Sequence, residues 1–232
     1  MKISRNLFKC LLTLGMAALS YASVAGTLVT FDNPMLLAMK ADGKVFGYFG
    51  VENDQFSCLI FFVQGDAKTT DGAGYQKHDV ATFTLDYSHA HFTYDKRDRT
   101  FDIPGAVYEH GDEWILQTSE EPPGCANIAG PFEGGPGTPD AQRFVVSAQT
   151  PALGIRVVTR KTHFFDKAWD AFKQRKGFLV DGDVVVVTEQ SASYAHVRYV
   201  NPSAMASHPG EVTTGWVRAA DLENPFPASL KQ

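Results

Sequence analysis

His89-Ala-His91 sets two imidazoles two residues apart. On a strand, that spacing points both rings to one face, which is the start of a divalent-metal site. Zinc needs a third and usually a fourth ligand. His78, Asp86, Asp95 and His110 stand nearby in the sequence, but no ligand spacing joins them to the pair. The pair also follows Tyr87-Ser88, where a turn competes with a strand. The expectation is therefore a pair of exposed hairpin histidines, with a metal-dependent hydrolase using His89 and His91 as the least favoured alternative.

The run Asp95-Lys-Arg-Asp-Arg-Thr-Phe-Asp102 holds carboxylates that could serve as an acid and a base. Glycoside hydrolysis needs such a pair at a fixed separation, with one carboxyl kept protonated. Lys96, Arg97 and Arg99 would hold these carboxylates ionised, so a solvated hairpin with weak salt bridges is the better reading. The chain contains no Gly-x-Ser-x-Gly elbow, no cysteine with an evident histidine partner and no glycine-rich phosphate loop opening a helix. No catalytic residue, metal or other cofactor is assigned.

Residues 1–25 have the pattern of a secretory signal peptide. Lys2, Arg5 and Lys9 form a basic start, Cys10 to Leu19 a short apolar stretch, and Ser23-Val24-Ala25 a small-residue cleavage site, with Ser20-Tyr21-Ala22 as second choice. The apolar stretch is shorter than the roughly 20 residues a membrane span requires. The expected location is periplasmic or secreted, with no membrane insertion after cleavage. Losing that segment takes the formal charge from −5 to −8. Such a balance disfavours nucleic acid as a partner, because phosphates need lysine and arginine to neutralise them.

Cys58 and Cys125 remain after cleavage, and in an oxidising compartment an isolated pair forms a disulfide more often than it serves as a nucleophile or a metal ligand. Short alternating runs separated by glycine and proline predict an all-β protein. Val80 to Tyr87 alternates, with Phe83, Leu85 and Tyr87 sharing one face. Cys58 to Val63 is continuously apolar, as a strand covered on both faces would be. Gly105–Tyr108 and Glu113–Thr118 flank a His110-Gly-Asp turn. Residues 26–150 therefore read as an antiparallel sandwich or small barrel. The loops at Glu120–Cys125 and Gly130–Pro139 read as surface connections, and short helices are marked near Phe165–Phe172 and around Asn33–Met39. The boundary between units is placed at Thr150-Pro151.

The last third carries the most specific pattern. Leu179-Val-Asp-Gly-Asp183 turns into the apolar run Val184–Thr188, followed by Tyr194-Ala-His-Val-Arg198 and then by Gly215-Trp-Val217 with Leu222 downstream. In order and spacing, residues 151–224 resemble the bacterial SH3-like family, leaving 225–232 as a tail. Two features depart from the pattern: an opening strand Ile155-Arg-Val-Val-Thr-Arg and a long insertion, Asn201–Val212, before the Gly-Trp. The resemblance implies a C-terminal SH3-like barrel that binds a peptidoglycan peptide or another envelope protein. By strand parity, Tyr194, His196 and Arg198 face outward while Val197 and Tyr199 face the core. Tyr194, Arg198, His196 and Trp216 are the candidate ligand-binding residues. The leading expectation is a non-enzymatic exported binding protein of the bacterial cell envelope. The alternative is an immunity or inhibitor protein against a cell-wall hydrolase.

Overall fold

The structure is a computed structural model that describes residues 26–169 and 171–230, and only the backbone at 66 and 67. The expected leader at 1–25 lies outside the described residues. The protein is all-β, as its alternating runs predict. Eight strands form a closed antiparallel meander: β1 (Gly26–Phe31), β2 (Leu36–Ala41), β3 (Lys44–Glu52), β4 (Ser57–Thr70), β5 (Gln76–Leu85), β6 (Arg97–His110), β7 (Glu113–Thr118) and β8 (Arg143–Ala152). Closure comes from β8 pairing back on β1, with Gly26 opposite Ala152. Closing the sheet removes the exposed edges that would otherwise invite aggregation. Of the two arrangements expected for this region, the barrel is the one formed.

Strand parity divides the barrel's side chains into two cores. Val45, Phe49 and Val51 of β3 face inward with Ile60 and Phe62 of β4, Trp114 and Leu116 of β7, and Phe144 of β8. Eight strands leave an interior only wide enough for side chains, and these aromatics fill it. The opposite parity, Phe46 and Tyr48 of β3 with Phe61 and Val63 of β4, faces outward and is equally buried. This accounts for the unbroken apolar run at Cys58–Val63, since β4 is covered on both faces.

A second, seven-stranded sheet covers that outer face. Its strands are β9 (Gly154–Val158), β10 (Thr162–Ala168), β11 (Ala171–Leu179), β12 (Val184–Ser191), β13 (Tyr194–Val200), β14 (Val212–Arg218) and β15 (Leu222–Glu223), in the spatial order β11-β10-β14-β13-β12-β9-β15. The four consecutive valines of β12 alternate between neighbours. Val184 and Val186 meet the barrel, while Val185 and Val187 join a core of their own with Val158, Leu179, Val197 and Val217. The tail as far as Leu230 packs against the barrel. Phe226 lies edge-on to Phe46 with ring centroids 4.9 Å apart, and Leu230 is buried in the same cluster. Burying one such phenylalanine contributes about 2–3 kcal/mol.

Several local expectations are corrected. The helix marked at Phe165–Phe172 is instead the β10–β11 hairpin, in which Phe165 pairs with Gln174 and Lys167 with Phe172. Alternating contacts on the neighbouring strands overrode a helical reading of mixed polar and apolar residues. Asn33–Met39 is a turn running into β2, with the Asn33 carboxamide accepting the Met35 N–H at 3.0 Å. Such side-chain capping favours a turn over a helix. The loop at Gly130–Pro139 is anchored, because Phe132 is fully buried in the barrel interior and its carbonyl accepts the Thr118 N–H at 2.8 Å. β5 ends at Leu85, so Tyr87 belongs to the following turn rather than to the strand face. β8 runs through Thr150-Pro151 to Ala152, and a single residue separates it from β9.

Candidate functional site

A pocket of about 370 Å³ opens where the barrel meets the second sheet. From β3 come Tyr48 and Glu52, and from the turn after β5 comes Tyr87. The Val180–Asp183 turn between β11 and β12 supplies Asp181 and Asp183, and β13 supplies Tyr199. Leu59, Val184 and Val200 provide apolar wall, and among the described residues no basic one lines the cavity.

Tyr48 sits here because β3 alternates and its parity points away from the barrel interior. Its ring leans on Phe61 with centroids 4.7 Å apart. It also lies across the backbone of Gly50, where an added Cβ would meet the Tyr48 hydroxyl oxygen at 2.0 Å. A glycine inside a strand commonly marks such a close approach. Gly182 does the same for Tyr87, since a Cβ there would come within 2.9 Å of that ring. With φ at +89°, Gly182 also holds a backbone conformation that side chains resist.

Asp183 is fixed at both oxygens. Tyr199 Oη donates to Oδ1 at 3.1 Å and the Val180 N–H donates to Oδ2 at 2.7 Å. Burial raises the Asp183 carboxyl above its usual range, against the lowering effect of these two bonds. Burial also pushes the Tyr48 phenol well up, helped by Tyr87, Glu52, Tyr199 and Asp183 nearby. Tyr87 and Tyr199 move the same way, through desolvation first and then through the negative charge of Glu52 and Asp183. The three phenols are therefore neutral hydroxyls suited to hydrogen bonding rather than phenolate nucleophiles.

Tyr48 is only 8% exposed, and its hydroxyl has no hydrogen-bond partner among the described residues. The Glu52 carboxylate likewise has no ion-pair partner among them, although its backbone is used: its N–H donates to the Pro202 carbonyl at 2.9 Å and its carbonyl accepts the Ala204 N–H at 2.7 Å. Through these bonds the Asn201–Val212 insertion docks onto the end of β3, and Pro202 becomes part of the pocket wall.

The residues singled out from sequence lie elsewhere. Tyr194, His196 and Trp216 come together on the face covered by the β10–β11 hairpin. Phe172 stacks on Tyr194 at 3.8 Å and lies edge-on to Trp216 at 5.5 Å, and His196 meets Trp216 at 5.3 Å. Lys167 Nζ caps Trp216 at 4.8 Å. Tyr194 and Trp216 are thus engaged within the fold rather than forming an open platform. Arg198, opposite Thr214 and Val186, is half-buried, and its Nη1 has no partner. His89 and His91 turn to different carboxylates, Asp86 at 3.3 Å and Glu223 at 3.3 Å, and no group of three or more potential ligands able to hold a metal ion occurs among the described residues. Arg97 grips Asp102 with two bonds of 2.7 Å. Cys58 and Cys125 are at disulfide distance, joining β4 to the segment that leads to Phe132.

Sequence reasoning missed Tyr48, Glu52, Tyr87 and Asp183 as a group. The available signal was Gly50, two residues after Tyr48 in an otherwise well-formed strand. No family model, curated protein or solved structure matches the chain.

Proposed function

We propose that this is a non-enzymatic binding protein of the bacterial cell envelope, exported by residues 1–25, that engages a peptide or protein partner at the pocket between barrel and second sheet. The observation that carries this reading is Tyr48, a side chain more than nine-tenths buried whose hydroxyl opens to the pocket and bonds no described residue. A ligand group that takes the place of water on that hydroxyl gains a hydrogen bond worth about 0.5–1.5 kcal/mol. The SH3-like resemblance of the last third adds support, as does a strand order in which the last strand, β15, returns beside the first, β9. The raised phenols and the doubly bonded Asp183 are suited to recognition, and none of them has the free, activated character of a nucleophile.

The test is retention of the purified chain on peptidoglycan and capture of partners from an envelope extract. Ser57→Trp, at an exposed position lining the pocket, serves as a blocking variant. Capture that Ser57→Trp abolishes supports the proposal. Empty results from both preparations reject it.

One observation favours a second reading, the inhibitor of a wall hydrolase. Trp169, which follows β10, is 95% exposed and has φ at +57°. A large aromatic held out in solvent is the kind of anchor that fills a partner's cleft. Inhibition of a wall-degrading enzyme that is lost in Trp169→Ala would establish this reading, and unchanged enzyme activity at saturating protein would dismiss it.

A further inference from the structure

Resting on the pocket reading above, we infer that the occupant is an organic cation: the ammonium or guanidinium end of a lysine or arginine side chain presented by a partner polypeptide. Glu52, Asp181 and Asp183 bring negative charge to one cavity that no basic residue lines among the described residues. The Asp183 oxygens are already committed to Tyr199 and Val180, whereas the Glu52 carboxylate is free of ion pairs among the described residues. The Tyr48 hydroxyl, on a side chain more than nine-tenths buried, opens to the pocket and supplies an acceptor for an N–H donor. Tyr48, Tyr87 and Tyr199 line the same space, and aromatic walls attract cations through their ring faces.

The shape points to a cation on an alkyl stem rather than to a metal ion. A volume of about 370 Å³ is far larger than a coordination sphere, and no group of three or more metal-binding side chains is assembled among the described residues. Leu59, Val184 and Val200 offer the apolar surface that a methylene stem covers. A protein of formal charge −5 also attracts basic partners at long range.

The experiment titrates the purified chain with Nα-acetyl-lysine methylamide, Nα-acetyl-arginine methylamide, n-butylammonium and the neutral Nα-acetyl-norleucine methylamide, following the tyrosine ring signals by NMR. A lysine or arginine probe is expected to move the Tyr48, Tyr87 and Tyr199 signals with millimolar affinity, while norleucine leaves them in place. Butylammonium acting alone would identify a free amine as the source and overturn the assignment to a side chain. Tyr48→Phe is expected to weaken binding about tenfold. Asp183→Asn keeps acceptor and donor positions for Val180 and Tyr199, so it tests charge without removing the turn, and is expected to weaken binding by a similar factor. Norleucine binding as well as lysine, or no probe moving the three tyrosines, would overturn the inference. If envelope peptides lacking lysine and arginine shift the same signals while the cations do not, the cation assignment falls and the binding reading stands. If envelope peptides and cations both fail, both fall.

Discussion

The Tyr48 ring occupies the space that a side chain at Gly50 would need: a Cβ on Gly50 would stand 2.0 Å from the Tyr48 hydroxyl and 2.3 Å from its ring carbon Cζ. Both residues lie on β3, so one strand supplies the recognition group and the gap that seats it. Gly50→Ala is expected to displace the ring from the pocket wall. Overpacking of this kind costs about 1–3 kcal/mol. The denaturation midpoint should fall, and the partner retained by the parent chain should be lost. An unchanged midpoint would show that the ring relocates freely.

The Cys58–Cys125 pair spans a sequence separation of 67 residues and ties β4 to the segment that carries Phe132 into the barrel. In the chain-entropy description, closing a loop of this length contributes about 4 kcal/mol, and measured values are commonly smaller. A Cys58→Ser, Cys125→Ser double variant should unfold at markedly lower denaturant concentration. Phe132→Ala should destabilise by roughly 3–5 kcal/mol, because it leaves a cavity among rings including Phe49, which is 5.2 Å away.

Glu109 predicts acid sensitivity. Burial works against its charged form, but bonds from His78 and from Lys40 outweigh that and hold the carboxyl below the usual range. Lys40 Nζ lies at 2.5 Å and His78 Nε2 at 3.1 Å from its oxygens. An unfolded glutamate titrates near pH ~4.3. With the folded value lower, the stabilisation is complete above that pH and is lost as pH falls through the folded value. Thermal midpoints should therefore drop on acidification below about pH 4.3, and Glu109→Gln should flatten that drop while lowering stability at neutral pH.

The fold was legible where a strand's two faces have distinct neighbours. The unbroken apolar run at Cys58–Val63 reported a strand covered on both faces, whereas the alternation in Val80–Leu85 marked Phe83 and Leu85 as core but not the burial of Thr82 on the opposite face. Phe165–Phe172 misled because β10 and β11 form the outer end of the second sheet and are mostly exposed beyond Phe165, leaving too few buried positions to distinguish period two from a helical period. The site was less legible for a different reason. Tyr48 and Asp183 are 135 positions apart, and each has an ordinary local role, as a strand aromatic and as a turn acid. Only the stacking of the second sheet on the barrel brings them to one cavity, and local pattern does not encode which outer face will be covered.

The aromatic cluster under the hairpin offers a separate check on that packing. Phe172 covers Tyr194 and Trp216. Phe172→Ala is expected to cost about 2 kcal/mol through lost burial and ring contact. Because Trp169 is already in solvent, the measurement uses a Trp169→Phe background, in which the emission of Trp216 should shift to the red when Phe172 is removed. No shift would mean that the hairpin does not shield Trp216.

The most direct measurement joins stability to recognition in the single variant Tyr48→Phe. The hydroxyl opens to the pocket and bonds no described residue, so its removal should leave stability within about 0.5 kcal/mol. The same change should weaken capture of the envelope partner and of the lysine and arginine probes. Unchanged stability with weaker binding is the result predicted here. Lower stability with unchanged binding would show that the hydroxyl serves the fold and that the pocket is not where the ligand is recognised.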